Sequence, residues 1–250
     1  MQKIIAANWK MYKSRQEARK TASDLRDMLS AEDLHGKRVV VFPSFTNIPA
    51  VLDIFAATPC VTVGAQNFYP AGEGAFTGEI SLAMLRDVGV SQVLAGHSER
   101  RHLLGEADEF VARKTAFALN RGFSAMLCIG ETLAEREAGD LVKVLSRQTG
   151  AALANLPEDC LARLSIAYEP VWAIGTGKVA GPAEVLEAHA AVRSLVAQIL
   201  GDAGRGVPIL YGGSVRPDNA ATLLELDNVD GLLVGGASLN AETFAQIIRA

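Results

Sequence analysis

Eight short apolar segments recur along the chain, and each one is followed by a polar loop and a longer stretch with helical periodicity. This alternation is typical of consecutive strand–helix units with parallel strands. The predicted strands are residues 4–8, 39–42, 61–65, 92–95, 125–129, 164–168, 208–211 and 231–234. The predicted helices include residues 15–29, 106–121, 140–155, 184–200 and 242–248.

No linker rich in Pro, Gly or Ser interrupts the alternation, so a single domain over residues 1–250 is preferred to two domains. Eight units within 250 residues match the usual size of a closed (β/α)8 barrel. The sequence therefore predicts an α/β protein that folds as a single-domain (β/α)8 barrel. An open, doubly wound sheet is the alternative that the same pattern allows.

The composition indicates a globular protein without a strongly charged surface. Hydrophobic residues make up 49% of the chain, which is ample material for a core. Lys and Arg total 24 against 28 for Asp and Glu, and the resulting charge of −4 gives no overall attraction to nucleic acid or acidic membranes. The chain has no apolar run of ~18 residues that could span a bilayer, and its amino-terminal apolar run is too short for a signal peptide. We therefore expect a cytoplasmic protein with no nucleic acid or membrane partner.

The three cysteines, Cys60, Cys128 and Cys160, are odd in number and widely spaced. This usage fits reduced thiols in a cytosol better than a disulfide framework or a zinc site. The H-x-H and H-E-x-x-H patterns of metal sites are absent as well. We expect neither a metal nor a cofactor.

In a barrel of this kind the functional site lies at the carboxyl ends of the strands. Seven of the eight predicted strands are followed there by polar or glycine-rich groups. These groups are Asn8, Lys10, Gln66, Asn67, His97, Glu99, Glu131, Glu169, the segment 212–214, and Gly235 with Gly236. The barrel hypothesis therefore predicts one site that gathers them.

Glu169 follows its strand directly and opens a segment with the composition of a mobile lid. Proline stiffens the segment next to Glu169, glycines free its far end, and apolar side chains between them could cover a site and expel water. The predicted lid consists of Pro170, Val171, Trp172, Ala173, Ile174, Gly175, Thr176, Gly177 and Lys178. We interpret Glu169 as a base for proton transfer in a closed pocket, and a surface loop with a solvated glutamate is the alternative.

His97 lies between a predicted strand and a short helical turn. The partial positive charge at a helix start disfavours an imidazolium, so His97 could stay neutral and donate a hydrogen bond to a carbonyl. Strand alternation turns Asn8 and Lys10 to the same side, at the mouth of the barrel. An amide and a cation there suit a substrate oxygen that becomes negative in the transition state. For Lys10, a solvated surface position and a Schiff-base role remain open.

Three glycine-rich segments, residues 175–177, 212–214 and 235–236, suggest phosphate binding. Glycine lets backbone N–H groups approach an anion, and the loops after strands seven and eight commonly hold phosphate in barrels. Each segment alone is a weak signal because tight turns also use glycine.

Together, the segments 8–10, 96–101, 168–177, 211–215 and 235–239 resemble triosephosphate isomerases, and the resemblance covers essentially the whole chain. It implies a TIM barrel and an isomerase of glycolysis and gluconeogenesis, which interconverts dihydroxyacetone phosphate and D-glyceraldehyde 3-phosphate through an enediolate without a cofactor.

The resemblance also assigns roles to the candidate residues. Glu169 would be the base and His97 the electrophile, while Lys10 and Asn8 would stabilise the enediolate and Glu99 would orient Lys10. Asn8 and Lys10 would also bind the substrate, and its phosphate would be held by backbone groups of Gly175, Ser214, Gly235 and Gly236. Glu131 and Tyr211 match positions that support the open and the closed lid, respectively.

The loop of residues 66–79 is long for a strand–helix connection, which calls for a functional explanation or disorder. In the resembled family this loop inserts into a second subunit, so a homodimer is expected. Thr77 would approach the partner's active site, and Glu79 would pair with Arg100 of the partner subunit. A flexible surface loop is the alternative.

The chain departs from the family pattern at four positions. Ala7 stands where the family usually has glycine, Tyr12 where asparagine is frequent and Ser44 where proline is common, while Gly181 precedes Pro182 after the lid. None of these is a named catalytic group.

Other functions also remain open at this point: a Schiff-base aldolase using Lys10, a metal-dependent isomerase, and a binding protein that keeps the scaffold without catalysis.

Overall fold

Eight parallel strands form a barrel in the computed structural model, which describes residues 2–174 and 179–250. The strands are β1 (Lys3–Asn8), β2 (Lys37–Phe42), β3 (Val61–Val63), β4 (Gln92–Ala95), β5 (Ser124–Ile129), β6 (Leu164–Tyr168), β7 (Ile209–Tyr211) and β8 (Gly231–Val234). Their order in the sheet is β3-β2-β1-β8-β7-β6-β5-β4.

The sheet closes between its two outer strands, β3 and β4. A parallel bridge joins Ala65 to Val93. The Ala65 N–H donates to the carbonyl oxygen of Gln92, and the Leu94 N–H donates to that of Ala65, both at 2.9 Å. The prediction of a (β/α)8 barrel is therefore confirmed, and the alternative of an open doubly wound sheet is wrong.

Ten α-helices occur in the described part of the chain. They are α1 (Arg15–Met28), α2 (Ile48–Phe55), α3 (Leu82–Asp87), α4 (Ser98–His102), α5 (Asp108–Asn120), α6 (Leu133–Glu137), α7 (Leu141–Leu153), α8 (Pro182–Leu200), α9 (Pro217–Glu225) and α10 (Ala241–Arg249). None of them is long and apolar enough to cross a membrane.

Local capping signals explain several helix boundaries. Helix α1 starts after Ser14, whose hydroxyl accepts from the Glu17 N–H at 3.4 Å while Glu17 Oε2 accepts from the Ser14 N–H at 2.7 Å. This reciprocal pair satisfies two backbone donors that a helix start leaves free. Pro182 begins α8, where its missing N–H costs no intrahelical bond. These caps fix where the chain turns back from each strand.

Strand alternation divides the buried side chains into two layers. One face of each strand packs against the helices, for example Ile5 and Val39. The other face fills the barrel with the cluster Ile4, Ala6, Val40, Phe42, Leu94, Met126, Cys128, Ala167, Leu210 and Leu233. Because the barrel is filled, a ligand can enter only at its ends.

The layer at the amino-terminal end of the barrel interior is polar. Arg38, Gln92 and Ser165 each lie two residues before an interior residue of an even-numbered strand, so alternation turns them inward. Arg38 Nε is buried without a hydrogen-bond partner among the described residues. Burial lowers the pKa of Arg38.

Candidate active site

A cavity of about 620 Å³ opens at the carboxyl ends of the strands. It is lined by residues that follow β1, β4, β6, β7 and β8. The lining includes these predicted site residues: Asn8, Lys10, His97, Glu169, Ser214, Gly235 and Gly236. One cavity thus brings together candidates that are separated by more than two hundred positions in the sequence.

Glu169 continues β6 into this cavity and is almost completely buried, with 2% of its surface exposed. Its Oε2 accepts from the Ser98 N–H at 2.9 Å, and its Oε1 lies 3.1 Å from His97 Nε2. Its own N–H donates to the carbonyl oxygen of Ile129 at 2.7 Å, which extends the ladder between β5 and β6. The alternative of a solvated surface glutamate is therefore wrong.

His97 precedes the short helix α4 and caps its amino terminus. Its Nδ1 accepts from the Glu99 N–H at 3.3 Å, and its Nε2 faces the Glu169 carboxylate. A nitrogen that accepts an N–H carries no proton, so the imidazole that makes both contacts is the neutral tautomer with its proton on Nε2. That tautomer presents a donor to the cavity.

Lys10 reaches the same cavity from the loop after β1. Its Nζ lies 2.6 Å from Glu99 Oε1, and its N–H donates to Asn8 Oδ1 at 3.0 Å. Lys10 has a φ of 49°, a region that side chains other than Asn and Asp seldom occupy. Gln66 Nε2 donates to the Lys10 carbonyl oxygen at 2.8 Å and so holds this loop in place.

Ser214, Gly235 and Gly236 form the far side of the cavity. A Cβ built on Gly235 would lie 3.4 Å from Lys10 Cε, an ordinary contact distance, so the lysine side chain lies against the loop after β8. Asn219 steadies the loop after β7, because its Nδ2 donates to the Ser214 carbonyl oxygen at 3.1 Å. Gly175, the fourth predicted phosphate contact, lies outside the described residues.

The described part of the predicted lid begins as a short turn, Val171–Ala173. Trp172 Nε1 donates to Glu131 Oε1 at 2.7 Å, and the Tyr168 hydroxyl donates to the same oxygen at 3.0 Å. Burial raises the pKa of Glu131, and the two hydrogen bonds oppose that shift. The Tyr211 hydroxyl has no partner among the described residues. Thr176, Gly177 and Lys178 also lie outside that part of the chain.

The family model for triosephosphate isomerase matches residues 3–250. The chain belongs to the triosephosphate isomerase family. It is 56% identical to a triosephosphate isomerase of Nitratidesulfovibrio vulgaris, strain Miyazaki F, over the full length of both chains. It is 53% identical to that of Oleidesulfovibrio alaskensis, again over both full lengths, and 46% identical to that of Chloroflexus aurantiacus over 98% of each chain.

Three contacts at this family site involve residues to which the sequence pattern assigned no role. Ser98 holds the Glu169 carboxylate, Gln66 holds the Lys10 loop and Asn219 holds the Ser214 loop. Ser98 acts through its N–H and its hydroxyl, which lies 3.3 Å from Glu169 Oε1, and the other two act through amide side chains; such contacts leave no characteristic spacing in a sequence. The polar character of the positions after β3 and β4 was the one available signal.

Of the departures from the family pattern, Tyr12 lies at the site and Gly181 lies at the start of α8. Tyr12, 57% exposed, lines the cavity near its outer edge. Gly181 precedes α8, and a Cβ there would meet only Glu184 Oε2, the end of a flexible side chain, at 2.8 Å. Within the described residues, no group of three or more His, Cys, Asp or Glu side chains could hold a metal ion.

Proposed function

We propose that Glu169, His97, Lys10 and Asn8 carry out the isomerisation of triose phosphates in this chain. As a member of its family, the chain is an isomerase that interconverts dihydroxyacetone phosphate and D-glyceraldehyde 3-phosphate. The observation that carries the residue assignment is the separation of 3.1 Å between Glu169 Oε1 and His97 Nε2 inside the shared cavity.

Glu169 is the base. It removes a proton from one carbon of the substrate, which forms an enediolate, and then returns the proton to the adjacent carbon. Its carboxylate must exchange the Ser98 N–H for the substrate, and closure of the lid would remove the water that would otherwise compete.

His97 is the electrophile. As the neutral tautomer it donates its Nε2 proton to the substrate carbonyl and then moves protons between the two oxygens of the enediolate. Lys10 and Asn8 stabilise the negative charge that develops there, since fixed charges and dipoles act strongly in a cavity without water. Glu99, 2.6 Å from Lys10 Nζ, orients the ammonium group.

The phosphate group is held by the backbone of Gly175, Ser214, Gly235 and Gly236. Binding there fixes the reacting carbons against Glu169, which lowers the entropic part of the barrier. Closure of the lid over residues 170–178 protects the enediolate, and Glu131 retains Trp172 when the lid is open.

The chain is proposed to form a homodimer. Thr77 and Glu79 are exposed, and so are Met11 and Leu103, at 94% and 78%. Exposed apolar side chains support a partner surface where they form one patch, which is what the proposed dimer would cover. In the dimer Thr77 would enter the partner's active site, and Glu79 would pair with Arg100 of the partner subunit. Sedimentation equilibrium tests this proposal, and a monomer at micromolar concentration would refute it.

The chain is further proposed to act in the cytoplasm as one domain over residues 1–250, without nucleic acid, membrane or cofactor. Recovery of the activity in the membrane fraction of lysed cells would contradict the location. Cooperative unfolding in two separate steps would contradict the single domain.

The contact with Glu99 argues against the Schiff-base alternative, because it occupies the Lys10 nitrogen that would have to attack a carbonyl group. Borohydride reduction in the presence of dihydroxyacetone phosphate would trap a lysine imine if one formed. We expect no adduct.

The decisive experiment is a coupled assay of glyceraldehyde 3-phosphate isomerisation in the presence of a chelator. We expect activity in the wild-type chain and a loss of about 10²-fold in kcat for Glu169→Asp, because the shorter side chain moves the base back by about 1 Å. Competitive inhibition by inorganic phosphate should stay within about twofold, which separates the base from phosphate binding. Near-normal turnover of the folded variant would remove Glu169 from the mechanism, and loss of wild-type activity on chelation would favour a metal-dependent isomerase.

A further inference from the structure

The cavity extends beyond the predicted phosphate contacts to a charged side chain. Arg216 lines it together with Ser214, Gly235 and Gly236, at the end of the loop after β7. Its position two residues after Ser214 places it on the phosphate side of the cavity, away from Glu169 and His97. None of the roles assigned so far involves Arg216.

The backbone of Arg216 is well fixed, while its side chain is held by one exposed ion pair. Asn219 Oδ1 accepts from the Arg216 N–H at 2.8 Å, and the same amide holds Ser214 through its Nδ2. Arg216 Nε lies 3.1 Å from Asp218 Oδ1, in a pair whose side chains are 50% and 71% exposed. Exposed pairs of this kind are weak, so the guanidinium can leave Asp218 for a better anion at little cost.

The net positive charge at the cavity is small compared with the negative charge of a phosphate group. Among the described lining residues, Lys10 and Arg216 are the two with permanent positive charge. Lys10 is already paired with Glu99 at 2.6 Å, and Glu169 adds a negative charge to the cavity. A phosphate ester carries a charge of about −1.5 to −2 at pH 7. Backbone N–H groups can bind it, but they carry no net charge to balance it.

We propose that Arg216 is a further substrate-binding residue, whose guanidinium attracts the phosphate group to the cavity mouth and contacts its outer oxygens. This proposal rests on the triose phosphate function proposed above. Guanidinium groups suit the task because they stay charged and offer paired donors to phosphate oxygens. In the sequence, Arg216 is the second of the two residues that separate the Gly212–Ser214 turn from Pro217, the first residue of α9.

The expected kinetic signature is a change in KM without a change in kcat. Arg216 would contact the outer phosphate oxygens at the solvated rim and would not itself fix the reacting carbons, so its contribution should be nearly equal in the ground state and the transition state. Arg216→Ala should therefore raise KM about threefold to tenfold at low salt and leave kcat within about twofold. Because this interaction lies at a solvated rim, the difference should shrink as ionic strength approaches about 1 M, where the screening length is about 3 Å.

Arg205 offers a matched control. It is also an exposed arginine paired with an aspartate, Asp202, at 3.2 Å. It precedes β7 and so lies at the opposite end of the barrel. Arg205→Ala removes the same charge from the chain without touching the cavity, and we expect its KM and salt dependence to match those of the wild type.

The experiment measures kcat and KM for glyceraldehyde 3-phosphate from about 20 mM to 1 M salt for the wild type, Arg216→Ala, Arg216→Lys and Arg205→Ala. Arg216→Lys should recover most of the low-salt KM because it restores the charge. Calorimetric titration with inorganic phosphate should show the same order of affinities.

A KM for Arg216→Ala within twofold of the Arg205→Ala value at low salt, with an unchanged phosphate affinity, would overturn the proposal and leave the isomerase function intact. Absence of isomerisation in the wild-type chain would overturn the function instead. In that case the phosphate titration would still decide whether Arg216 binds an anion, since it needs no turnover.

Discussion

Replacing Gly212 by Ala tests how tightly the structure positions the proposed base. Gly212 follows β7, and its N–H donates to the Tyr168 carbonyl oxygen at 2.7 Å. A Cβ built on Gly212 would lie 2.9 Å from Glu169 Cγ and 3.1 Å from the Tyr168 carbonyl oxygen. The loop backbone is fixed by these contacts, so the side chain of Glu169 has to yield.

The size of the effect follows from these distances. Carbon atoms pack favourably at about 3.5 to 4.0 Å, so the added methyl group displaces Glu169 Cγ by roughly 0.5 to 1 Å. A displacement of 1 Å at a reacting group can cost about 10²-fold in rate. We expect kcat to fall about 10- to 100-fold and the free energy of unfolding to fall by about 1 to 3 kcal/mol from overpacking.

The assay combines steady-state kinetics with urea unfolding and inhibition by inorganic phosphate. Phosphate inhibition should change by less than about twofold, because the displaced group is not among the proposed phosphate contacts. Gly150→Ala is the control, since a Cβ there meets nothing within 4 Å. A folded Gly212→Ala variant with kcat within threefold of the wild type would refute the view that catalysis tolerates only a displacement of Glu169 of less than 1 Å.

Two further predictions concern stability. Arg38→Met should raise the free energy of unfolding in urea by about 1 kcal/mol, because it removes a buried Nε that has no partner in the described part of the chain. A lower free energy of unfolding would show that Arg38 is stabilising. Burial lowers the pKa of Lys114 from 10.5 to about 8, so between these values the unfolded chain holds a proton that the folded chain has released. The free energy of unfolding should therefore rise with pH across this window, by at most about 3 kcal/mol. Lys114→Met should lack that rise in denaturant titrations at several pH values, and parallel curves for the two proteins would exclude this origin.

The barrel was predictable because both faces of its strands are buried, so nearly every strand is a short, almost continuous apolar segment that a helix follows. The bounds of β4, β6 and β8 agree with the prediction. Strand β3 ends at Val63 instead of continuing to residue 65. The reason lies in closure: the Gly64 N–H still donates to β2, at the Val41 carbonyl oxygen, whereas Ala65 bridges to Val93 of β4. A change of partner strand leaves no trace in local hydrophobicity.

The candidate site was predictable where a chemical group follows a strand, as with Glu169 and His97. It was not predictable where a backbone group holds a catalytic side chain. The Ser98 N–H that holds Glu169 is a donor that every residue except proline possesses, so only the fold reveals its direction. The polar layer around Arg38 was hidden for a similar reason, since its members lie on separate strands and meet only after closure.

The narrow junction between β3 and β4 gives the Lys10–Glu99 contact a second, mechanical importance. Within the described residues, these two outer strands are joined by the isolated bridge between Ala65 and Val93. Lys10 follows β1 and Glu99 follows β4, so their 2.6 Å contact spans the carboxyl ends of β2 and β3 and the junction between β3 and β4. The ammonium group proposed to stabilise the reacting oxygens therefore also links the loop after β1 to the segment after β4, across the closure of the barrel.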